Sequence, residues 1–135
     1  ALFERCLLQR AKAVFAHVCG RLRSMEMFEL AEKTAKKFVK DFPHDHEAWF
    51  EIVATRFQQK RFPIVKETMT NAMRVLKACD YVSLQIRLAQ MEIDGGQAGR
   101  AVSILKQLLG EKPKARGRVE ALLREAGLED HIAQL

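Results

Sequence analysis

Apolar residues recur along this chain at i, i+3 and i+4, the spacing that lines one face of an α-helix, and not at every second position as in a half-buried strand. Between His46 and Phe57, for example, Trp49, Ile52, Val53 and Phe57 fall on one face. The same spacing runs through Lys12 to Leu22 and through Val82 to Ile93. Each of these segments is followed by a second amphipathic one: Phe28 to Phe38, Val65 to Met73 and Arg100 to Leu109. The pattern predicts an all-α chain of about seven helices. The last should run from near Arg116 to Glu125, stop at Gly127 and give way to a short turn from Glu129 to Leu135.

Breakers stand where paired helices need them. Pro43 and Pro113 close second helices, Pro63 sits at the first turn of another, and Gly95-Gly96 supplies a tight reversal. Asp45 and Asp80 are expected to cap first helices, because a short carboxylate can accept from the unbonded amides there. The pairs also recur at a fixed interval. Phe28 to Phe62 spans 34 residues and Ala72 to Leu108 spans 36, a period typical of stacked helical repeats. The expected organisation is a single helical-repeat domain over residues 1–135, with units at about 12–45, 46–81 and 82–115 and a C-terminal capping helix at 116–127.

The matched positions are Phe15, Val18, Cys19, Phe28, Ala31 and Pro43 in the first unit and Trp49, Ile52, Val53, Phe62 and Ala72 in the second. In the third they are Leu88, Ala89, Gly96, Ala101, Leu105, Leu108 and Pro113. Over about residues 12 to 115 this layout resembles the tetratricopeptide repeat. It departs from that pattern where Gln85 stands for the usual Trp, Val65 for a small residue and Lys77 for the closing proline. The resemblance implies α-α hairpins stacked as a right-handed superhelix, with first helices lining a concave face. Two segments are also similar to the half-a-tetratricopeptide repeat of RNA-processing scaffolds. Leu2-Phe3-Glu4-Arg5-Cys6-Leu7 resembles the end of a second helix in that family. Arg87-Leu88-Ala89-Gln90-Met91-Glu92 resembles a first helix in the C-terminal repeats of ribosomal-RNA-processing factor five. Ile52 replaces the second aromatic of that pattern, and Arg56 its acid.

Composition narrows the function classes. With 48% hydrophobic and 30% charged residues the chain has the balance of a folded protein and not of a disordered tail. No apolar run approaches the ~20 residues that span a bilayer, so a water-soluble protein without a membrane partner is expected. The opening Ala1-Leu2-Phe3-Glu4 carries no visible targeting segment and reads as the start of an excerpt from a longer array. Cys6, Cys19 and Cys79 are odd in number, lack Cys-x-x-Cys spacing and fall in helical apolar patterns; they are expected to be reduced core residues of an intracellular protein.

Catalytic constellations are thin. His44 and His46 flank Asp45 in an expected interhelical loop, where a metal-dependent enzyme is a distant alternative. No Cys or further His is spaced to complete a ligand set, so a solvated loop with a capping Asp is the simpler reading. Gly95-Gly96-Gln97-Ala98-Gly99 follows a helix and lacks the Lys-Ser/Thr of a phosphate loop. No cofactor, metal or small-molecule substrate is expected, and the chain is read as non-enzymatic.

Two surfaces remain. The first is the concave face that the resemblance implies, lined by Ala13, Ala16 and Gly20, then Glu47, Phe50, Ala54 and Phe57, then Ser83, Ile86, Gln90 and Ile93. A partner helix or extended peptide laid there would use Phe50 and Phe57 as anchors; the other reading packs these residues against neighbouring repeats or the chain's own C-terminal helix. The second is basic: Lys33, Lys36, Lys37 and Lys40 on one helix and Lys112, Lys114, Arg116 and Arg118 near the end. Together with a net charge of +6 these faces suit either solvent or a phosphate backbone. The leading expectation is a protein-interaction scaffold that binds a partner in the apolar groove or through the array ends. The alternative is an RNA-contacting domain of an RNA-processing or ribosome-biogenesis complex. The compartment expected is cytoplasm or nucleus, the nucleolus on the second reading.

Overall fold

The computed structural model describes residues 1–135. The chain is all-helical, with α1 (Leu2–Ser24), α2 (Phe28–Asp41), α3 (His46–Gln58), α4 (Phe62–Val75), α5 (Ala78–Asp94), α6 (Ala98–Glu111) and α7 (Arg116–Glu125). Short 3-10 turns follow at Pro113–Ala115 and Glu129–Gln134. No helix is long and apolar enough to cross a membrane. Packing divides the chain into two compact units, Ala1–Lys77 and Ala78–Leu135. In the first, α1 packs on α2, α2 on α3 and α3 on α4, and α1 also reaches α3. In the second, α5 packs on α6 and meets α7.

One turn joins α1 to α2, α3 to α4 and α5 to α6. A helix leaves its last carbonyls unbonded, and the chain satisfies them by placing one residue in the left-handed region. These residues are Glu26 (φ 58°), Lys60 (φ 60°) and Gly96 (φ 76°). At each, the residue's own amide bonds back three residues and the next amide bonds back five. Glu26 N donates to Arg23 O (3.0 Å) and Met27 N to Leu22 O (2.9 Å); Lys60 N donates to Phe57 O (2.9 Å) and Arg61 N to Arg56 O (3.1 Å). The third turn repeats this with Gly96 N to Ile93 O (3.0 Å) and Gln97 N to Glu92 O (2.7 Å). The following residues Met27, Arg61 and Gln97 then take nearly the same ψ, 65°, 61° and 57°. α7 ends the same way at Gly127 (φ 72°), but the chain passes into a 3-10 turn in place of another α-helix.

Hydrophobic side chains close each unit. In the first, Phe15 stacks on Phe38 with ring centroids 4.9 Å apart, and Phe42 meets both rings edge-on at 6.3 and 5.8 Å. Phe38, Ala31 and Ala35 of α2 are fully buried, as are Ala48, Val53 and Ala54 of α3. Trp49 adds an apolar ring, and its Nε1–H donates to the Pro43 carbonyl at 2.8 Å, tying the loop to α3. In the second unit Val82, Ala89, Ala101, Leu105, Leu108, Val119 and Leu123 form the core. Ile86, Ile93, Leu128, Ile132 and Leu135 pack around it, so the C-terminal 3-10 turn is held by its apolar residues.

The boundaries differ from expectation in three places. α1 begins at Leu2 and not near Lys12: the residues before Lys12 include no Gly or Pro, so nothing interrupts the helix, and Leu2 to Leu7 belong to it. α5 begins at Ala78, which puts Asp80 in its first turn, near the positive end of the helix, and not at its cap. Pro113 ends α6 as expected but also opens the 3-10 turn to Ala115, its missing N–H being harmless at a first position. Asp45 does cap α3, accepting from Glu47 N at 2.9 Å.

Because Glu26 and Lys60 occupy a region that disfavours a Cβ, Glu26→Gly and Lys60→Gly should each stabilise the chain by about 0.5–1 kcal/mol, the relieved strain outweighing the entropy glycine adds to the unfolded chain. Urea midpoints of the two variants measure this; Gly96→Ala should move in the opposite direction.

Candidate functional site

Charged bonds run between helices of the first unit. Arg23 of α1 pairs with Glu51 of α3, and the same guanidinium lies 5.7 Å from the centre of the Phe50 ring. Glu51 is almost wholly buried, so this pair is held by mutual attraction in a region where an unpaired charge would be costly. Lys12 Nζ donates to Asp45 Oδ2 at 2.6 Å, a second bond from α1 to the start of α3. Burial opposes ionisation of Asp45, but the Lys12 bond and the Glu47 amide outweigh it and hold its carboxyl below the usual 3.8. The Asp45 bond likewise raises Lys12 above 10.5. Glu32 of α2 is the third centre: Arg56 Nε and Arg61 Nη1 each donate to its Oε1 at 2.9 Å. Arg56 Nη1 also donates to Thr68 Oγ1 at 2.6 Å, linking α2, α3 and α4. Burial pushes the Glu32 pKa up, yet the bond from Arg56 and the charges of Arg56, Arg61 and Lys36 bring it below 4.5.

These bonds change the expected groove. Phe50 is only 4% exposed and Ala54 is fully buried, so neither is open to a ligand. The resemblance placed Phe50 on the concave groove face, and the sequence could not show Arg23 crossing over its ring. Phe57 is half-buried and meets Phe62 edge-on at 5.4 Å. Ala16, Gly20 and Glu47 are half-buried, and Ala13 is exposed. In the second unit Ser83, Ile86, Gln90 and Ile93 are half-buried. Ile86 and Ile93 pack on that unit's core, while Ile86 and Gln90 face Arg118, Ala121, Leu122 and Glu125 of α7 across a cleft of about 370 Å³. The C-terminal helix thus flanks this part of the expected face. Comparison with family models, curated proteins and solved structures returns no match.

The basic residues are placed as solvated faces with local partners. Lys33, Lys36, Lys37 and Lys40 are exposed, Lys36 lying 3.7 Å from Glu32 and Lys37 3.2 Å from Asp41 on the same helix. Such exposed pairs contribute little to stability. Near the end, Arg116 pairs with Glu120 at 2.9 Å and Arg118 donates to Ser83 Oγ at 3.0 Å. Lys112, Lys114 and Arg118 border a second cleft of about 450 Å³ with Cys79, Val82, Pro113 and Ala115.

His44 lies in the loop, but His46 is the first residue of α3; between them Asp45 has its two oxygens taken by Lys12 and the Glu47 amide, and no three His, Cys, Asp or Glu side chains come together for an ion. The cysteines divide. Cys19 is fully buried, but Cys6 and Cys79 are exposed, which corrects the expectation that all three sit in the core. Both lie near the start of a helix, Cys6 in α1 and Cys79 in α5. Burial, and then the Glu51 charge, push the Cys19 thiol up to about 12.

Two features escaped the periodicity. The Arg23–Glu51 bond is one; its only trace is an acid set within the otherwise apolar run Ala48–Ala54. The other is a row of exposed apolar residues on α1, whose spacing was visible but was divided between two expected helices.

Two measurements follow. Glu32 stabilises the fold as its anion, so that contribution is present above 4.5 and is lost as pH falls through its lowered folded-state value. Wild type should therefore lose urea resistance on acidification more steeply than Glu32→Gln, the two curves converging at low pH. In native protein, two thiols (Cys6 and Cys79) should react with a maleimide, Cys19 reacting only after denaturation, as mass spectrometry of the labelled chain would count.

Proposed function

We propose that the chain is a non-catalytic, tetratricopeptide-like repeat scaffold that holds a partner protein. The observation that carries this reading is the recurrence of one turn. From Glu26 to Lys60 is 34 residues and from Lys60 to Gly96 is 36, the same intervals that separate the matched apolar positions in the sequence. The ends of α2, α4 and α6 repeat as well: Phe42, Leu76 and Lys112 each bond back four residues, at 2.8, 2.8 and 2.7 Å. Hairpins that share one turn geometry and second helices of 14 residues each favour nearest-neighbour stacking into a right-handed superhelix. Such an array offers long surfaces of fixed shape, which suits recognition of an extended or helical partner more than enclosure of a small substrate.

The groove face retains Ala13, Ala16, Gly20, Glu47 and Phe57 in the first unit and Ile86 and Gln90 in the second, with Phe50 acting beneath it as support. Asp45, which caps α3 and pairs with Lys12, favours a structural role for the segment His44–His46. The basic faces, several of whose cations already have carboxylate partners, favour solvation over a phosphate track.

Affinity capture with the full chain, with and without nuclease and at two salt concentrations, tests the reading. Capture of a protein should survive nuclease and fall with Ile86→Arg, whereas Lys33→Glu with Lys40→Glu should leave it unchanged. Capture that needs RNA, weakens steeply with salt and is lost in the Lys33/Lys40 variant would establish the RNA-contacting reading instead.

A further inference from the structure

The register that carries the Glu26 turn onto the Gly96 turn also carries the loop from α2 to α3, Phe42-Pro43-His44-Asp45, onto Lys112-Pro113-Lys114-Ala115, which leads from α6 to α7. The backbones agree: Phe42 and Lys112 have φ −133° and −134° and ψ 64° and 75°. The side chains do not. Two rings stand around Pro43: Phe42, edge-on to Phe15 and Phe38, and Trp49, which donates to the Pro43 carbonyl. Asp45 then closes the loop onto Lys12 of α1. At the corresponding positions the second unit has Lys112 for Phe42, Val119 for Trp49, Ala115 for Asp45 and Val82 for Lys12. Phe15 gives way to Gln85, which donates to the Tyr81 hydroxyl. Two aromatic rings and an ion pair are thus missing around Pro113, and a cleft of about 450 Å³ opens there, within the size range of small-ligand pockets. In the first unit this place is filled by side chains of α1, α3 and the loop between α2 and α3. All of these have counterparts in α5, α7 and the loop between α6 and α7, so by register no further stretch of chain seats in it.

The lining says what fits. Ala78, Val82, Pro113 and Ala115 give the cleft an apolar floor, and Lys112, Lys114 and Arg118 stand around it. Arg118 is bonded to the Ser83 hydroxyl and not to an acid. The one acid on the rim, Glu111, accepts from Tyr81 and Gln107. We propose that this cleft binds a small free carboxylate that carries an aromatic ring, the class of arylalkanoic acids. The ring lies on the apolar floor, supplying what Phe42 and Trp49 supply around Pro43. The carboxylate pairs with the ammonium and guanidinium groups of the rim, where ion-assisted hydrogen bonds are stronger than neutral ones. An aliphatic acid leaves more of the space empty, and a cation is repelled. The scaffold reading makes no use of this cleft, so a ligand here is a separate binding function.

The probe is 3-phenylpropanoate, titrated into the full chain and followed by its NMR signals, against 3-phenylpropanamide, phenethylammonium and hexanoate. The aryl acid should bind at least about tenfold more tightly than the amide or the amine, and more tightly than hexanoate. Cys79 lines the cleft and reports its occupancy. With the aryl acid at about ten times its dissociation constant, maleimide should alkylate Cys79 about tenfold more slowly, while Cys6 keeps its rate. Lys112→Glu with Lys114→Glu should weaken the aryl acid by about tenfold or more. Lys112→Phe, which puts back the ring of the first loop, should abolish binding and raise the urea midpoint; circular dichroism reports whether both variants are folded. Binding of the amide or of hexanoate as tight as that of the aryl acid, equal protection of Cys6, or binding that survives Lys112→Phe would each overturn the proposal. A tetrapeptide ending in phenylalanine that binds more tightly than the free acid would overturn it too, by giving the cleft to a chain end. Protein capture that depends on Ile86 is read independently of all these outcomes.

Discussion

Three of the chain's helix-to-helix turns rest on one residue held in the left-handed region, and the hairpins depend on them. Glu26, Lys60 and Gly96 each accept that conformation, and the amides around them bond the orphan carbonyls at the helix end. The strain at Glu26 and Lys60 costs about 1 kcal/mol each. It is offset by what the reversal brings about: a second helix returns along the first and buries its alanines and phenylalanine against it. Since the turn has a fixed length, the helix lengths set the interval between hairpins. In the second unit the last such turn, at Gly127, leads only into a 3-10 segment pinned by Leu128, Ile132 and Leu135.

Within the first unit, polar bonds add specificity to this apolar framework. Lys12, Arg23 and Glu32 each cross from the first hairpin to α3 or α4, where Asp45, Glu51, Arg56 and Arg61 receive them. Apolar packing alone would tolerate a slip of α3 by one helical turn. Four charge pairs at three separate places along the helices would not, because a slip leaves buried charges unmatched. In the second unit the corresponding place is held more loosely: Arg100 lies 3.7 Å from the buried Glu92 carboxylate, too far for a hydrogen bond.

Much of this was legible in the sequence. Helix type followed from apolar spacing, and Pro43, Pro63, Gly96 and Gly127 stand where breakers should, because local backbone preferences act the same way in any context. The limits of α7 and the Asp45 cap were visible for the same reason. What was not legible depends on neighbours distant in sequence. The resemblance placed Phe50 and Ala54 on the concave face; their burial depends on which helix lies over them, as the Arg23 guanidinium shows. Cys6 and Cys79 lie in apolar surroundings along the chain but are exposed in space. The start of α1 was misplaced because the repeat pattern begins at Lys12, whereas helix formation needs no repeat, only residues that favour it.

The two units each hold one intrinsic fluorophore. Trp49, the single tryptophan, donates to Pro43 O at the joint between the first hairpin and α3. Tyr81, the single tyrosine, is buried in α5, accepts from Gln85 Nε2 at 2.9 Å and has its phenol pKa raised, chiefly by burial. The chain thus carries a built-in pair of optical reporters, one per unit: loosening of residues 1–77 changes indole emission, and loosening of residues 78–135 changes the ultraviolet titration of a phenol. Whether the halves melt as one cooperative body or in succession is written in two colours, without adding a label.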